Sequence, residues 1–255
     1  MRLENMTWPQ AEKYFKNNDI VLIPLGSTEC HGRHMPLGTD TLVPEKILSL
    51  LEEKTDVLIA PVMPYGCTDY LAPFPGTINL GHDVLYLVMT RICESLYVHG
   101  ARKFVILNGH GGNIPVLDRV ALDLQKKGCM LAQLNWWQMV WNIVPDYEGN
   151  MPWHGGHGGA EETSAILYID ESLVDFKEIQ DAPMKDIGPF QATGMKTVSF
   201  KGVDIPVPRY SPDISENGWF GNDHPKYSSR EWGEQLLKGV SAYIIEFLEE
   251  FRKVQ

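Results

Sequence analysis

The fold is decided by residues 20–40, which read IVLIPLGSTECHGRHMPLGTD. This segment opens with an apolar run, Ile20 to Leu25, whose length and composition are typical of a strand buried on both faces of a sheet. The run breaks at Gly26, where the chain enters a polar segment. We therefore predict a central strand, followed by a loop that carries polar side chains at the end of that strand.

That loop contains residue types that bind metals. Glu29 and His31 are two positions apart, and on an extended segment such side chains point the same way, whereas Cys30 between them points away. Asp40 adds a second carboxylate further along the loop. Two carboxylates and an imidazole match the ligand preferences of zinc, manganese and iron. Polar residues after a strand are also common in ordinary solvated loops, so this pattern alone does not establish a metal site.

The length and composition of the chain favour one globular domain over residues 1–255. With 255 residues, 44% of them hydrophobic, the chain can bury a substantial core, and no linker, low-complexity tract or internal repeat divides it. The net charge of −11 argues against a surface for nucleic acid or anionic membrane, because both need clusters of lysine and arginine. We therefore expect neither nucleic acid nor membrane as a partner.

Signals of cellular compartment favour the cytoplasm. The N-terminal segment lacks the basic stretch followed by an apolar stretch that marks a signal peptide, and no apolar run approaches the roughly 20 residues that span a bilayer. The four cysteines are far apart and form no C-x-x-C pair, which is typical of reduced thiols; they are Cys30, Cys67, Cys93 and Cys129. We expect a cytoplasmic protein whose cysteines fill its core.

Strand-like and helix-like segments alternate along the chain. Apolar runs predict strands at 20–25, 57–62, 103–107 and 130–134, and helical spacing predicts helices at 8–17, 44–53, 82–99, 115–127 and 136–144. Residues 198–207 are typical of an edge strand or hairpin, and 228–253 of an amphipathic helix that begins with Ser228 and Glu231 as a capping box. Strands that alternate with helices predict an α/β fold, with a mostly parallel sheet covered on both faces.

A second polar cluster follows the strand predicted at 103–107. It reads NGHGGN from Asn108 and places His110 among glycines, which allow close approach of the backbone. Ligands of parallel sheets bind outside the carboxyl ends of the strands, so His110 and the loop after Leu25 should lie at one edge. A phosphate-cradling loop is the alternative interpretation of NGHGGN. The segment lacks the Lys-Ser/Thr of a P-loop, however, and carries a histidine instead.

The third cluster is WHGGHGGAEETS, residues 153–164, which precedes an apolar helical run. Glu161 and Glu162 fall in the first turn of the predicted helix, where the helix dipole favours negative charge whatever the function. The dipole does not account for two histidines in a glycine run that leads to the same helix start. We therefore predict that His157 and Glu162 are functional, and the role of His154 stays open.

Together these clusters resemble the creatininase (creatinine amidohydrolase) family over most of the chain. The residues that carry the resemblance are GSTECHGRHMPLGTD from Gly26, FPGTINL from Phe74, NGHGGN from Asn108 and HGGAEETS from His157. A weaker match to the family is the segment NGWFGNDHPKYSSREWGE, which begins at Asn217. The first and fourth of these motifs are specific when they occur together and in this order.

The resemblance implies a dinuclear metal hydrolase on a three-layer α/β/α fold that assembles as a homo-oligomer, commonly a hexamer. By motif position, metal ligands are expected at Glu29, His31, Asp40 and His110. Asp40 resembles the residue that bridges the two ions, and His157 resembles the catalytic histidine of the family. Glu162 is similar to a further metal or water ligand. The implied cofactor is a divalent metal, two ions per chain, with zinc expected and manganese or iron as alternatives.

Two departures separate this chain from creatininase itself. Creatininase has Tyr-Glu after the metal histidine, and that glutamate binds the second ion, whereas this chain has Gly111 and Gly112. Either Glu162 completes the second site, or that site is weak. Many relatives also carry Ser-x-x-His-x-x-Phe-Pro-Gly-Thr, where this chain has Thr68 and Leu71. The substrate pocket should therefore differ from that of creatininase.

The predicted function is metal-dependent hydrolysis of a C–N amide bond in a small substrate, with cyclic amides among the candidates. A metal-activated water attacks, and His157 carries a proton to the leaving nitrogen. Substrate contacts are expected from Trp153, Thr68 and Gly109, with Trp136 or Trp137 as further aromatic walls.

Other functions remain open at this stage. The same scaffold could hydrolyse a C–C bond or a formamide, with a keto-inositol or an N-formyl compound as substrate. A catalytically inactive sensor that binds metal or a small ligand is the non-enzymatic alternative. A dinucleotide-dependent oxidoreductase is disfavoured, because no G-x-G-x-x-G follows the first strand.

Overall fold

The computed structural model describes residues 1–143, 156–181 and 183–254. Its centre is a parallel sheet made of β1 (Ile20–Leu25), β2 (Leu58–Ile59), β3 (Lys103–Asn108) and β4 (Met130–Asn135). The strands lie in the order β2-β1-β3-β4, so β1 and β3 are the inner strands. β1 is buried along its whole length, as its uninterrupted apolar sequence predicted.

Helices cover both faces of this sheet. They are α1 (Trp8–Phe15), α2 (Thr39–Leu51), α3 (Gly81–His99), α4 (Ile114–Gln125), α5 (Trp136–Ile143), α6 (Ala160–Ile169) and α7 (Arg230–Lys253). Alternate strand residues point to opposite faces: Leu22 and Val105 pack with α2, α5, α6 and α7, whereas Val21 and Phe104 pack with α1, α3 and α4. The predicted three-layer α/β/α fold is confirmed. One domain over residues 1–255 stays a prediction.

Two small antiparallel sheets accompany the central one. In the first, β5 (Gly156–His157) pairs with β9 (Phe220–Gly221) and sets His157 opposite Phe220. The second is a meander of β6 (Gln191–Gly194), β7 (Thr197–Phe200) and β8 (Val203–Pro206). The hairpin predicted within 198–207 is therefore the second part of a longer element. In the part of the chain described above, no helix is long and apolar enough to cross a membrane.

The start of α2 differs from the sequence prediction. α2 begins at Thr39 rather than at Pro44, so Asp40 lies in the first turn of a helix and not in the preceding loop. Pro44 lies inside the helix and lacks the N–H that would donate to the carbonyl of Asp40. The helix tolerates this loss near its N-terminus, and the Asp40 carbonyl is left open to another segment.

The start of α7 also differs by one residue. The predicted capping box of Ser228 and Glu231 is wrong, because the helix begins at Arg230 and its N-cap is Ser229. The side chain of Ser229 accepts a hydrogen bond from the backbone N–H of Trp232 at 3.1 Å. Two adjacent serines offer the same capping chemistry, so the sequence alone does not choose between them.

Parallel register brings the polar loops together. Leu25 at the end of β1 is paired with Asn108 at the end of β3, and the N–H of Gly109 donates to the carbonyl of Leu25 at 2.8 Å. A Cβ on Gly109 would lie 1.9 Å from the carbonyl oxygen of Asp40, so only glycine fits at this crossing. The loops after both strands thus meet the first turn of α2 at the carboxyl edge of the sheet, as predicted.

We expect Gly109→Ala to lower the free energy of unfolding by about 1–3 kcal/mol, because the added methyl group overlaps the Asp40 carbonyl and the helix start must shift. The matched control is Gly111→Ala, where the nearest atom to an added Cβ is a ring carbon of Trp137 at 3.8 Å. Urea denaturation of both variants beside the parent protein measures the difference. An equal loss in the two variants would contradict the close approach at Gly109.

Candidate metal centre

The candidate centre lies where the loops after β1 and β3 meet the N-terminal turns of α2 and α6. The structure brings six predicted residues together at this point: Glu29, His31, Asp40, His110, His157 and Glu162. The side chains of Glu29 and His31 are fully buried, and that of Glu162, the most exposed of the six, is 14% exposed. Three carboxylates and three imidazoles therefore share one nearly water-free space.

Asp40 lies between two sets of donor atoms. Its Oδ2 is 3.0 Å from Nδ1 of His110, and the same nitrogen is 3.1 Å from Oε1 of Glu29. Its Oδ1 is 3.0 Å from Nε2 of His31, which is 3.8 Å from Oε2 of Glu162. Each set has the spacing of ligands around one ion, and Asp40 belongs to both.

Backbone carbonyls fix which nitrogen of each histidine carries the hydrogen. The three hydrogen bonds join Nδ1 of His31 to the carbonyl of Glu29 (3.1 Å), Nε2 of His110 to that of Cys67 (2.9 Å) and Nε2 of His157 to that of Cys30 (2.5 Å). A carbonyl oxygen only accepts, so these nitrogens donate. In the neutral rings the other nitrogen is bare and faces the carboxylates. Metal-ligating histidines adopt this same orientation.

The charges of the centre require positive partners. Burial raises the pKa of Glu29; its Oε1 shares Nδ1 of His110 with Asp40, and its Oε2 has no hydrogen-bond partner among the described residues. Burial alone would lower the pKa of His31, but the carboxylates of Asp40 and Glu162 outweigh it and raise that pKa to about 10. Burial raises the pKa of Glu162 to about 7. Divalent cations would satisfy the bare nitrogens and the unpartnered Oε2 of Glu29 together, so the residues present fit a metal centre.

The position that holds a glutamate in creatininase is sterically closed here. A Cβ on Gly112 would lie 2.0 Å from the carbonyl oxygen of Cys67 and 2.4 Å from Nε2 of His110. Glu162 approaches His31 and Asp40 from the first turn of α6 instead. Its Oε2 also accepts a hydrogen bond from the N–H of Gly158 at 2.7 Å, which fixes the carboxylate. Glu162 therefore has the position that a replacement ligand would need.

The centre opens into a cavity of about 370 Å³. Two of the three predicted substrate contacts, Thr68 and Gly109, line it. Thr68 is 2% exposed, and its Oγ1 has no hydrogen-bond partner among the described residues. Gly109 offers no side chain, and its approach to Asp40 accounts for the glycine. The hydroxyl of Thr68 is thus the polar group that this wall can offer to a ligand.

The tryptophans and the remaining histidines named in the sequence analysis lie in different parts of the protein. Trp137 lines the cavity, whereas Trp136 is buried in the core. The predicted substrate contact Trp153 and the flanking His154 lie outside the described residues. His34 is buried beside the centre, where its Nε2 is 3.1 Å from Oγ1 of Thr163.

Sequence reasoning missed two residues that support the centre. Phe220 stacks on His157 with ring centroids 5.2 Å apart. Asp223 holds the start of α6, because its carboxylate accepts from the N–H of Glu161 at 3.3 Å and its carbonyl from the N–H of Ala160 at 2.8 Å. Both residues lie in NGWFGNDHPKYSSREWGE, the weakest of the motifs, which is the signal that could have found them.

The fold and the site together define a class of protein: a three-layer α/β/α enzyme scaffold with a histidine–carboxylate centre suited to divalent metal at the ends of its parallel strands. The model of the Creatininase family, described as creatinine amidohydrolase, matches residues 4–248 of this chain. The chain belongs to the creatininase family and is a hydrolase.

Individual relatives agree with this assignment. Creatinine amidohydrolase from Pseudomonas putida is 30% identical over 204 residues, which cover 72% of this chain and 78% of the relative. A mycofactocin precursor peptide peptidase from Mycolicibacterium smegmatis is 31% identical over 194 residues, which cover 72% of this chain and 73% of the relative. A solved structure of a mutant creatininase of the Zn-Zn type has a TM-score of 0.76 at 25% identity and covers 99% of this chain and 98% of that chain.

The support that Asp223 gives to α6 should depend on pH. Burial raises the pKa of the Asp223 carboxyl to about 6, whereas the unfolded chain has an ordinary value of about 3.9. The folded protein therefore holds this proton more tightly, and stability is lost as pH rises from about 4 to about 6. Over this range, we expect the parent to lose up to about 3 kcal/mol of unfolding free energy relative to the variant Asp223→Asn.

Urea denaturation at several pH values measures this difference. The control is Asp83→Asn, because Asp83 is an exposed acid in the first turn of α3 and water already solvates its carboxylate. Its difference from the parent should change much less with pH. A pH-independent difference for Asp223→Asn would contradict the assigned role of burial.

Proposed function

We propose that this protein is a divalent-metal amidohydrolase that cleaves a C–N amide bond in a small substrate by means of a metal-activated water. One observation carries the proposal: each of three buried histidines is held by a backbone carbonyl through one ring nitrogen and turns the other nitrogen toward shared carboxylates. Zinc suits this mixture of imidazole and carboxylate ligands, and the similar solved structures include creatininases of the Zn-Zn type and with manganese.

The ligand sets follow from the geometry. Glu29 and His110 would hold one ion, His31 and Glu162 the other, and Asp40 would be common to both. When bound, the metal supplies the Lewis acidity that lowers the pKa of a coordinated water to about 7 and polarises the substrate carbonyl. Ser27 orients the shared carboxylate, because its Oγ donates to Oδ2 of Asp40 at 2.7 Å.

We propose that His157 moves a proton at its Nδ1. Its Nε2–H is held by the carbonyl of Cys30, and its ring lies between those of His31 and Phe220, with centroids 4.3 Å and 5.2 Å away. Burial, followed by the neighbouring His31, lowers the pKa of His157 to about 3, so the resting ring is neutral. A neutral Nδ1 can accept a proton and then deliver it to the leaving nitrogen.

The cavity favours a small substrate whose contacts differ from those expected for creatinine. Its volume of about 370 Å³ lies within the ordinary range for small-molecule sites. Leu71 lines it where many relatives have a histidine, and Thr68 offers an unpartnered hydroxyl nearby. A panel of creatinine, other cyclic amides, N-formyl compounds, a keto-inositol and short peptides would separate the substrate classes. We further propose a cytoplasmic homo-oligomer, with a hexamer expected.

Metal content tests the centre directly. In protein purified without chelators, we expect the candidate centre to hold about two divalent ions per chain, and Glu162→Gln to lower the metal content found by elemental analysis by about one ion. Glu161→Gln, the same change at the adjacent residue of the same helical turn, is the control and should keep the metal content of the parent. An equal metal content in the parent and in Glu162→Gln would mean that Glu162 does not complete a second site in place of the glutamate absent at Gly112. No metal after reconstitution would overturn the hydrolase mechanism.

Turnover tests the role of His157. We expect His157→Ala to keep the metal content of the parent while lowering kcat by about 10²–10⁴, because the proton shuttle is lost and the ligands remain. The assay uses the panel compound that the parent hydrolyses fastest. Unchanged kcat would remove His157 from the mechanism, and a lost ion would make it a ligand instead.

A further inference from the structure

A second group of metal-binding side chains lies outside the candidate centre, at the rim of the cavity. Cys67 and Asp69 belong to the loop between β2 and α3, and His82 to the first turn of α3. Sγ of Cys67 is 3.3 Å from Nδ1 of His82 and 3.5 Å from Oδ2 of Asp69. The same Nδ1 is 3.1 Å from Oδ2 of Asp69. A thiol, an imidazole and a carboxylate thus surround one point.

These spacings fit three ligands of one tetrahedral zinc ion. Zn–S bonds of about 2.3 Å and Zn–N or Zn–O bonds of about 2.1 Å, at tetrahedral angles, place sulfur about 3.6 Å from each lighter ligand and nitrogen about 3.4 Å from oxygen. The three observed distances of 3.3, 3.5 and 3.1 Å are each within about 0.3 Å of these values. Sγ of Cys67 is also 3.6 Å from Nε2 of His82, so the half-exposed imidazole ring would have to turn to direct its Nδ1 at the ion.

We propose that Cys67, Asp69 and His82 form a third metal site that binds zinc-type ions and is separate from the catalytic centre. Cys67 is 3% exposed, whereas the side chains of Asp69 and His82 are 41% and 50% exposed. An ion can therefore enter from solvent, and water can fill the fourth position. On binding, the thiol releases its proton to solvent and its sulfur becomes the ligand. The proposal of this third site does not depend on the proposed hydrolase function.

A nucleophilic role for the same three residues is disfavoured. Burial, followed by the charge of Asp69, raises the pKa of the Cys67 thiol to about 12. A nucleophilic cysteine needs a lowered pKa, because the thiolate is the reactive form. A metal ion removes this obstacle for ligation, since it deprotonates a coordinating thiol outright.

The third site is joined to the candidate centre through Cys67. The backbone carbonyl of Cys67 accepts the hydrogen bond that orients His110, and its N–H donates to Oδ1 of Asn113 at 3.0 Å. An ion held by the side chain of Cys67 would therefore brace the loop that fixes the tautomer of His110. Its structural role is to stiffen this wall of the cavity.

Cobalt(II) substitution tests the proposal in the full-length protein. The candidate centre, as far as the described residues show, uses no thiolate, so a sulfur-to-cobalt charge-transfer band in the near ultraviolet reports on the third site alone. We expect this band on adding cobalt to the metal-stripped protein. His82→Ala should weaken the cobalt affinity measured at this band by at least about 100-fold. His99→Ala, at the other end of the same helix, is the control and should leave the band unchanged.

The outcomes are separable from those of the catalytic centre. Cys67→Ser should abolish the band, and because Cys67 is buried, the half-exposed His82 provides a second variant that does not disturb the core. No band at cobalt saturation, or a band with unchanged affinity in His82→Ala, would overturn the third site. Failure of the proposed function would instead appear as absent catalytic ions or absent turnover, with the charge-transfer band retained.

Discussion

Three carboxylates held together in a nearly water-free space impose the main constraint on this protein. Glu29, Asp40 and Glu162 belong to one cluster, and like charges cannot be buried together without positive partners. Among the described residues, the ion-pair partners of these carboxylates are the imidazole nitrogens of His31, His110 and His157. Carbonyls hold those imidazoles so that bare nitrogens face the carboxylates, an arrangement that divalent ions complete.

The fold creates this cluster through strand ends and helix starts. Parallel β1 and β3 end at the same level and send their loops to one edge of the sheet. Asp40 and Glu162 each lie in the first turn of a helix, α2 and α6, where the helix dipole stabilises negative charge. Gly109 has no Cβ that would clash with the carbonyl oxygen of Asp40, so the loop after β3 can approach the first turn of α2.

The layered fold was predictable because its signals are local. The apolar run of β1 and the helical spacing of residues 82–99 are visible in the sequence, and the structure confirms both elements. The predicted site residues were found through the motifs, and the structure brings Glu29 and Glu162 into one cluster although they are far apart in the chain. Their roles in catalysis stay predictions.

Other features depend on packing that no local pattern encodes. The sequence prediction began α2 at Pro44 because proline is common in the first turn of a helix, whereas the helix begins at Thr39. Asp223 is far in sequence from α6, which it supports, so no local pattern predicts this contact. Its only signal in the sequence is the weak family motif that contains it. Cys67 was taken as core filler, and it is buried, but its contact with His82 depends on how α3 docks against the loop.

The most direct test of the central claim is a crystal structure with anomalous scattering measured at the absorption edge of the metal found in the purified protein. At the candidate centre the account predicts two anomalous peaks about 3.5–4 Å apart, one on each side of the Asp40 carboxylate, apart from any peak at the site of Cys67. One peak should contact Glu29 and His110, and the other His31 and Glu162. A single peak away from Asp40, or no peak where Asp40 meets the imidazoles of His31 and His110, would contradict a shared-carboxylate metal centre.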